Sequence, residues 1–381
     1  MTLRLGATPR LSVLIPTHNR ATLLRDSLES LHAQRLPKDQ FEIVVVDDGS
    51  TDDTAGVCDG YRSRLPLTYH RIHHAGISAA KNLAIFVASA PIILFFDDDD
   101  IAHPDLLRVH LQVHREHPEE QIAVLGYTTW APTLEVTALM RYVTEVGHFL
   151  FSYTNLTPGQ MLDFTYFWGG RTSCKRLFLA QHGIFNQDFH FGCEDIELGY
   201  RLSRHGLRVL YRPDAISYMN RPITFDEFCR RCERQGRSQW HFSQLHPDPI
   251  VQQWCGVASG RDKTPATTVD LESHVRRVHE LENVLSTTLT EQSRASFIKE
   301  LFEQYRVMFT AFNTLGILQS NNTRDDAMFT DKLSLTAHEF ESSCIHSSVT
   351  SRGQLGDYRL TDGRSATANL SASLHGDDHG V

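Results

Sequence analysis

From Leu11 to about His110 the chain alternates short unbroken apolar runs with segments whose apolar residues recur at helical spacing. Leu11 to Pro16 is the first apolar run. Arg20 to Gln34 follows, with Leu23, Leu24, Leu28 and Leu31 along one helical stripe. Phe41 to Val46, Leu67 to Arg71 and Pro91 to Phe96 repeat the strand pattern, separated by helical patterns at Thr51 to Cys58 and Ser78 to Ala88. Ser50 or Thr51 is the expected cap of the Thr51 helix, with Asp52 and Asp53 in its first turn. Strands that are apolar on both faces and alternate with helices predict a parallel sheet covered on both sides.

Such sheets bind ligands beyond the carboxyl ends of their strands. Three polar clusters fall there: Thr17-His18-Asn19-Arg20, Asp47-Asp48-Gly49-Ser50 and Asp97 to Asp100. Beyond Gln121 the rhythm is less regular, up to Tyr218. That stretch holds Phe167-Trp168-Gly169-Gly170 and a helical pattern from Glu194 to His205. Thr224 to Gln239 predicts a basic amphipathic helix, and Val269 to Leu318 predicts two helices. The chain turns polar after about Asn321, and the Ser-, Thr-, Gly-, Asp- and His-rich segment from Ser347 to Val381 is too poor in apolar residues to build its own core.

Composition narrows the function. The 381 residues are 41% hydrophobic and 22% charged, ordinary for a globular protein. A net charge of −9, from 37 Lys and Arg against 46 Asp and Glu, excludes a general nucleic-acid binder. Met1 to Arg10 lacks the apolar core of a signal peptide, and the apolar stretch Leu83 to Phe96 is too short to span a bilayer. Seven cysteines without regular spacing predict reduced thiols and a cytoplasmic protein, with peripheral attachment to the inner membrane face left open.

The acidic run carries the most specific chemistry. Asp97 and Asp99, one residue apart after a buried strand, are placed to share one hard cation, Mn2+ or Mg2+, with substrate phosphates. The alternative, a solvated acidic turn, leaves four like charges repelling one another. Asp48 ends the second strand, where its carboxylate either accepts an N–H from a base or closes a turn, and Asp47 and Asp48 divide those roles. Glu194 and Asp195 either poise a carboxylate for proton abstraction or open a helix, where acids are favoured in any case. Trp168 either stacks on a sugar or belongs to the core, and Gly169-Gly170 permits close backbone approach. Cys229-x-x-Cys232 with His241 and His246 imitates a zinc-finger list, but a continuous helix would scatter those ligands. Arg230, Arg231, Arg234 and Arg237 form either a solvated helix face or a patch that reaches the diphosphate or an anionic acceptor.

The pieces Ser12 to Arg20, Val45 to Asp52, Gly76-Ile77-Ser78-Ala79-Ala80-Lys81-Asn82, Phe96 to Asp100, Gly169-Gly170 and Gly192 to Leu202, in this order, resemble the family 2 glycosyltransferases. The resemblance spans about residues 10 to 220. It implies an inverting enzyme with the α/β GT-A nucleotide-diphospho-sugar transferase fold, a Rossmann-like mixed sheet with helices on both faces. By this resemblance Pro16, Thr17 and His18, with Asn19 and Arg20, line the base and ribose. Asp48 bonds the base, His74 lies near the uridine, and Lys81 approaches the diphosphate. Asp97 and Asp99 hold the metal, Asp98 faces the ribose, and Asp195, paired with Glu194, is the general base. The sequence departs from the family near Tyr218-Met219-Asn220, where many members carry a histidine, and it lacks the Q-x-x-R-W motif of processive synthases.

The expected organisation is a catalytic domain over residues 1–222, split into a nucleotide half (10–110) and an acceptor half (111–222). A helical appendage (223–320) and a loosely packed tail (321–381) follow. The expected reaction moves one sugar from a nucleoside-diphosphate donor, UDP-linked by preference, to a hydroxyl of a glycan, a lipid-linked saccharide or a small molecule. The C-terminal helices offer a surface for self-association. Two other readings stay open: a nucleotidyltransferase-like enzyme, against which the missing Gly-rich loop after the first strand counts, and a sugar-nucleotide-binding protein without transfer.

Overall fold

The structure, a computed structural model, describes residues 8–257, 270–287 and 290–322. Four parallel strands open the chain: β1 (Leu11–Thr17), β2 (Phe41–Asp47), β3 (Leu67–Arg71) and β4 (Ile92–Phe95), joined by helices α1 (Ala21–His32), α2 (Thr54–Tyr61) and α3 (Ile77–Val87). They stand in the order β3-β2-β1-β4: the first two connections step outward from β1 and the third crosses back to place β4 on its other side. The two-residue period of a strand explains the two cores. Leu11, Val13 and Ile15 pack toward Leu24, Leu28 and Val57, whereas Leu14, Val44 and Phe95 pack toward Ala80 and Ala84 on the other face.

The second half completes the sheet: β5 (Asp100–Ala102), α4 (Leu106–Glu116), β6 (Ile122–Trp130), α5 (Ala138–Arg141), β7 (Met161–Leu162), β8 (Thr172–Lys175), α6 (Arg176–His182), α7 (Glu194–Ser203) and β9 (Arg208–Met219). Strand β8 runs antiparallel between β4 and β6, and the sheet continues through β9 to β5, with β7 also on β9. The register between β6 and β9 shifts at Gly126, where any Cβ would lie 2.5 Å from the Ala215 carbonyl oxygen. That bulge lets β9 run on to meet β5 beside the acidic run.

The appendage contains α8 (Phe225–Leu245), α9 (Pro249–Trp254), α10 (Leu271–Leu285) and α11 (Glu291–Asn322). Thr224 and Glu227 form a capping box that fixes the start of α8. Its apolar side meets Tyr305 and Phe309 of α11, and both aromatic residues are buried within the chain. The helices touch backbone to backbone at two glycines. A Cβ on Gly236 would lie 2.0 Å from the Asn313 carbonyl oxygen, and one on Gly316 would lie 1.9 Å from that of Glu233. No helix among the described residues is long and apolar enough to cross a membrane.

The strand expectations hold to within a residue or so, but the α2 start does not. That helix begins at Thr54, and neither Ser50 nor Thr51 caps it. Ser50 Oγ instead accepts the Asn19 N–H, and Asp52 accepts from Ala21 N and Thr54 Oγ1, because tying the β1 and β2 loops together satisfies more donors than a cap would. The polar tail lies outside the described residues beyond Asn322.

Replacing Gly316 by Ala in a free helix would add up to about 1 kcal/mol of stability. Here the clash with Glu233 must separate α8 from α11, so Gly316→Ala is expected to destabilise by about 1–3 kcal/mol in denaturant titration. Gly60→Ala, whose Cβ meets nothing within 4 Å, is the neutral or stabilising control.

Candidate active site

The acidic run is the turn between β4 and β5. Asp100 N–H donates to the Asp97 carbonyl (3.2 Å), and the Asp99 carbonyl accepts from Asn220 N (2.7 Å), just past β9. Each carboxylate meets a different neighbour. Asp98 accepts from Thr17 Oγ1 and Arg20 Nη1, both at 2.8 Å. Asp99 accepts from Arg221 Nε at 2.9 Å and Arg20 Nη1 at 3.3 Å. Asp100 is fully buried on Ser217 Oγ (2.9 Å), with Arg171 at 4.0 Å. Asp97 holds only a long 3.4 Å contact to Arg171, and its side chain is the most open of the four at 30% exposure. Burial lifts the Asp98 carboxyl to about 6 and that of Asp100 to about 8, with the neighbouring aspartates adding to the rise and the arginines opposing it.

The loops after β1, β2 and β3 form a second group. Asp47 closes a turn, accepting from Ser50 N (2.7 Å) and Tyr69 Oη (2.6 Å). Asp48 accepts the backbone N–H groups of Ala75 (2.7 Å) and Gly76 (3.0 Å), with His74 Nδ1 at 2.9 Å from the same carboxylate. His18 Nδ1 lies 2.8 Å from the Asp48 carbonyl, and the His18 and His74 rings face each other at 4.5 Å. Asn19 adopts φ 52°, where asparagine is among the more tolerant residues, and accepts the Thr51 N–H. The two histidines and Asp48 place ligand atoms within 4.8 Å of one another, the one such trio among the described residues.

Between these groups lies Gly169-Gly170. Gly169 N–H donates to Asp195 Oδ2 (2.8 Å), and Ile196 N–H to Asp195 Oδ1 (2.8 Å). A Cβ on Gly170 would lie 1.9 Å from Asp97 Oδ2, and one on Gly169 would lie 2.7 Å from Lys81 Nζ. Only glycines let this backbone pass between the two acids. Lys81 is buried and bonds Glu194 Oε1 at 3.0 Å, while Glu194 Oε2 is buried without a partner. Burial opposes the Lys81 charge, but Glu194, Asp97 and Asp195 outweigh it and hold its pKa above the ordinary value. Burial, then the adjacent Glu194, pushes the Asp195 carboxyl up to about 6 against Lys81 and the two backbone donors.

The structure therefore gathers Thr17, His18, Asn19, Arg20, Asp48, His74, Asp97 to Asp99, Gly169, Gly170, Glu194 and Asp195 at one end of the sheet. Pro16 lies on β1 just before them. Lys81, expected near the diphosphate, bonds Glu194. Asp98, expected near the ribose, bonds Thr17 and Arg20. Trp168 donates from its indole to the Thr165 carbonyl (2.8 Å) and packs between Tyr153 and Tyr166, half-buried. Cys229 and Cys232 lie buried on the continuous helix α8, and His246 bonds Glu197, so no zinc-finger set assembles among the described residues. Cys58, Cys174, Cys193, Cys232 and Cys255 are buried free thiols. Arg171 and Arg221 were missed in the sequence. Arg221, one residue past the Asn220 position where the family's histidine was sought, was the available signal, being a cation at a strand end facing an acidic run.

Residues 12–178 match the family described as glycosyl transferase family 2. By that match the region is similar to the family 2 glycosyltransferases. Validoxylamine A glucosyltransferase of Streptomyces hygroscopicus subsp. jinggangensis (strain 5008) is 34% identical over 227 residues, covering 53% of this chain and 54% of that protein. The chain thus spans about half the length of the curated relatives it matches. Among solved structures, the mannosyltransferase PcManGT from Pyrobaculum calidifontis, in complex with GDP-Man and Mn2+, aligns with a TM-score of 0.55 at 18% identity, covering 82% of this chain and 87% of that one. Staphylococcus aureus TarS 1-349 aligns at 0.50 and 18%, covering 83% and 91%. These two likenesses establish the GT-A fold.

The donor chemistry of this site fits a hard divalent cation. Asp97 and Asp99 offer carboxylate oxygens from one turn, Asp97 with its side chain 30% exposed, and Asp100 Oδ1 and Arg171 Nε nearby are buried without partners. Imidazole-rich His18–Asp48–His74 suits softer transition metals better than a phosphate-bridging ion.

Removing one partner of a buried ion pair leaves an uncompensated charge. Lys81→Met is expected to cost about 3–5 kcal/mol in denaturant titration, and Lys81→Met/Glu194→Gln to recover part of that loss. A double-variant loss equal to the sum of the Lys81→Met and Glu194→Gln losses would show that the pair is not coupled.

Proposed function

We propose that the chain transfers one glycosyl group from a nucleoside-diphosphate sugar, UDP-linked by preference, to an acceptor hydroxyl with inversion. The observation that carries this reading is the passage of Gly169-Gly170 between Asp97 and Asp195, which sets a candidate cation ligand and a candidate base on two sides of one backbone segment. Asp48, His18 and His74 are the base-recognition group, near Asn19 and Arg20. Asp97 and Asp99 are the residues that would hold Mn2+ or Mg2+, which supplies Lewis-acid stabilisation to the departing diphosphate.

The steps performed by the chain's own residues follow from the same arrangement. The acceptor oxygen attacks the anomeric carbon from the face opposite the diphosphate, and the bond to the diphosphate oxygen breaks with its electron pair. Asp195 takes the hydroxyl proton. Its carboxyl, held by two backbone N–H groups, keeps one geometry through the reaction, and its raised pKa makes it a better base than a solvent-exposed aspartate. Trp168 flanks the acceptor side. The acceptor is a glycan, a lipid-linked saccharide or a small molecule, and residues 1–222 form the catalytic domain in this reading.

A base must be deprotonated to act, so the rate is expected to fall as pH drops through about 6, the value to which burial and Glu194 lift Asp195. Asp195→Asn should lower transfer about 10²–10⁴-fold while donor affinity is kept. Retention of most of the rate would assign the base elsewhere, and an α-linked product from an α-linked donor would exclude inversion. Thermal shift with UDP, GDP and dTDP, each with Mn2+, reads the donor preference, and Asp99→Ala should abolish the metal-dependent part of the stabilisation.

A further inference from the structure

Helix α8 presses one face onto the loop that leads into Glu194-Asp195. Residues 231, 234, 235 and 238 recur at helical spacing on that face. Two of them are anchored there: Gln235 Nε2 lies 3.1 Å from Cys193 Sγ, and Ser238 donates to the Phe191 carbonyl. The other two, Arg231 and Arg234, both lay their guanidinium groups on the Phe191 ring, at 5.3 Å and 3.9 Å from its centroid. Gly192 is held at φ 68°, and a Cβ there would lie 2.3 Å from Gln235 Oε1, so this face is tight against the loop.

The charges on this face are not balanced in the way those around the acidic run are. Arg237 is neutralised by Glu233 and bonds Gln319 at 2.7 Å, and Arg221 is engaged by Asp99. Among the described residues, Arg231 and Arg234 form no ion pair. Burial, together with the neighbouring arginines, lowers the pKa of both, so the free chain bears a cost for holding these charges side by side. A tolerated cost of this kind against the loop that leads into Glu194-Asp195 points to an anion that relieves it. Among the groups that act on Arg231 are the carboxylates of Glu194 and Asp195.

We propose that Arg231 and Arg234, stacked on Phe191, form a subsite for a phosphate group carried by the acceptor, which orients the acceptor hydroxyl toward Asp195. The inference rests on the reading of Asp195 as the base and extends it to the acceptor's chemistry. Two adjacent guanidinium forks match a phosphate, which offers several oxygens and up to two charges, better than they match a single carboxylate. The aromatic ring beneath them holds the guanidinium planes and limits the entropy lost on binding.

The test uses the full chain saturated with UDP and Mn2+, with glycerol 3-phosphate as the probe and glycerol as its uncharged counterpart, read by calorimetry. Wild type and the charge-matched surface control Arg25→Gln should bind glycerol 3-phosphate and not glycerol. Arg234→Gln, at the helix surface, and Arg231→Gln/Arg234→Gln should weaken that binding by about tenfold or more, as the loss of charge-assisted contacts predicts, with UDP affinity unchanged. Equal glycerol 3-phosphate affinity in the α8 variants and the control would overturn the subsite. A parallel fall in UDP affinity would overturn it too, by assigning the arginines to the donor diphosphate. Failure of UDP, GDP and dTDP alike to bind wild type would remove the transferase reading itself, and the subsite with it.

Discussion

Four aspartates in succession at the end of a buried strand are affordable only because the fold surrounds them with cations. Arg20 comes from the loop after β1, Arg171 from just before β8 and Arg221 from just after β9, three segments far apart in sequence. Thr17 and Ser217 complete the set by donating to Asp98 and Asp100. The sheet order has to be what it is for these groups to meet. Strand β1 must sit next to β4, and β9 must reach β5 through the bulge opposite Gly126. The charge balance of one turn thus fixes the relation between the two halves of the sheet.

The same balance sorts the acids by task. Asp98 and Asp100 are committed to protein donors or to burial, whereas Asp97 has one long contact and remains open, and Asp99 holds arginines that a stronger cation would compete with. A second balance lies at Gly169: Lys81 neutralises Glu194, with Asp97 also acting on it, leaving the neighbouring Asp195 to two backbone donors. Its carboxyl is therefore fixed in direction without being cancelled in charge. The two systems meet at the Gly169-Gly170 backbone, where a side chain on Gly170 would crowd Asp97 and one on Gly169 would crowd Lys81 and Asp195.

Much of this was legible in the sequence, for physical reasons. Strands buried on both faces must be apolar without interruption, so β1, β2 and β4 announced themselves, and the polar residues at their ends had nowhere to lie but the sheet edge. The ordered pieces from Ser12 to Gly170 then carried the resemblance, and they lie within the matched residues 12–178. What was hidden depends on pairing across the chain. Nothing local to Lys81 says that its partner is Glu194 rather than a phosphate. Nothing local to Arg171 marks it as the countercharge of Asp97 and Asp100. The α2 cap failed because Ser50 and Asp52 found donors in another loop, and the aromatic stripe of α11 could not reveal that two glycines dock it on α8.

The central claim is that Asp97 and Asp99 release their arginines to a divalent cation shared with a nucleoside diphosphate whose base lies at Asp48. The most direct measurement is a crystal structure of the chain with UDP and Mn2+, read from the manganese anomalous signal. The account predicts one peak bridging the Asp97–Asp99 carboxylates and the diphosphate, with the uracil beside Asp48, His18 and His74. A manganese peak at the His18–Asp48–His74 trio with none at the acidic run, or a nucleotide bound away from both, would contradict it.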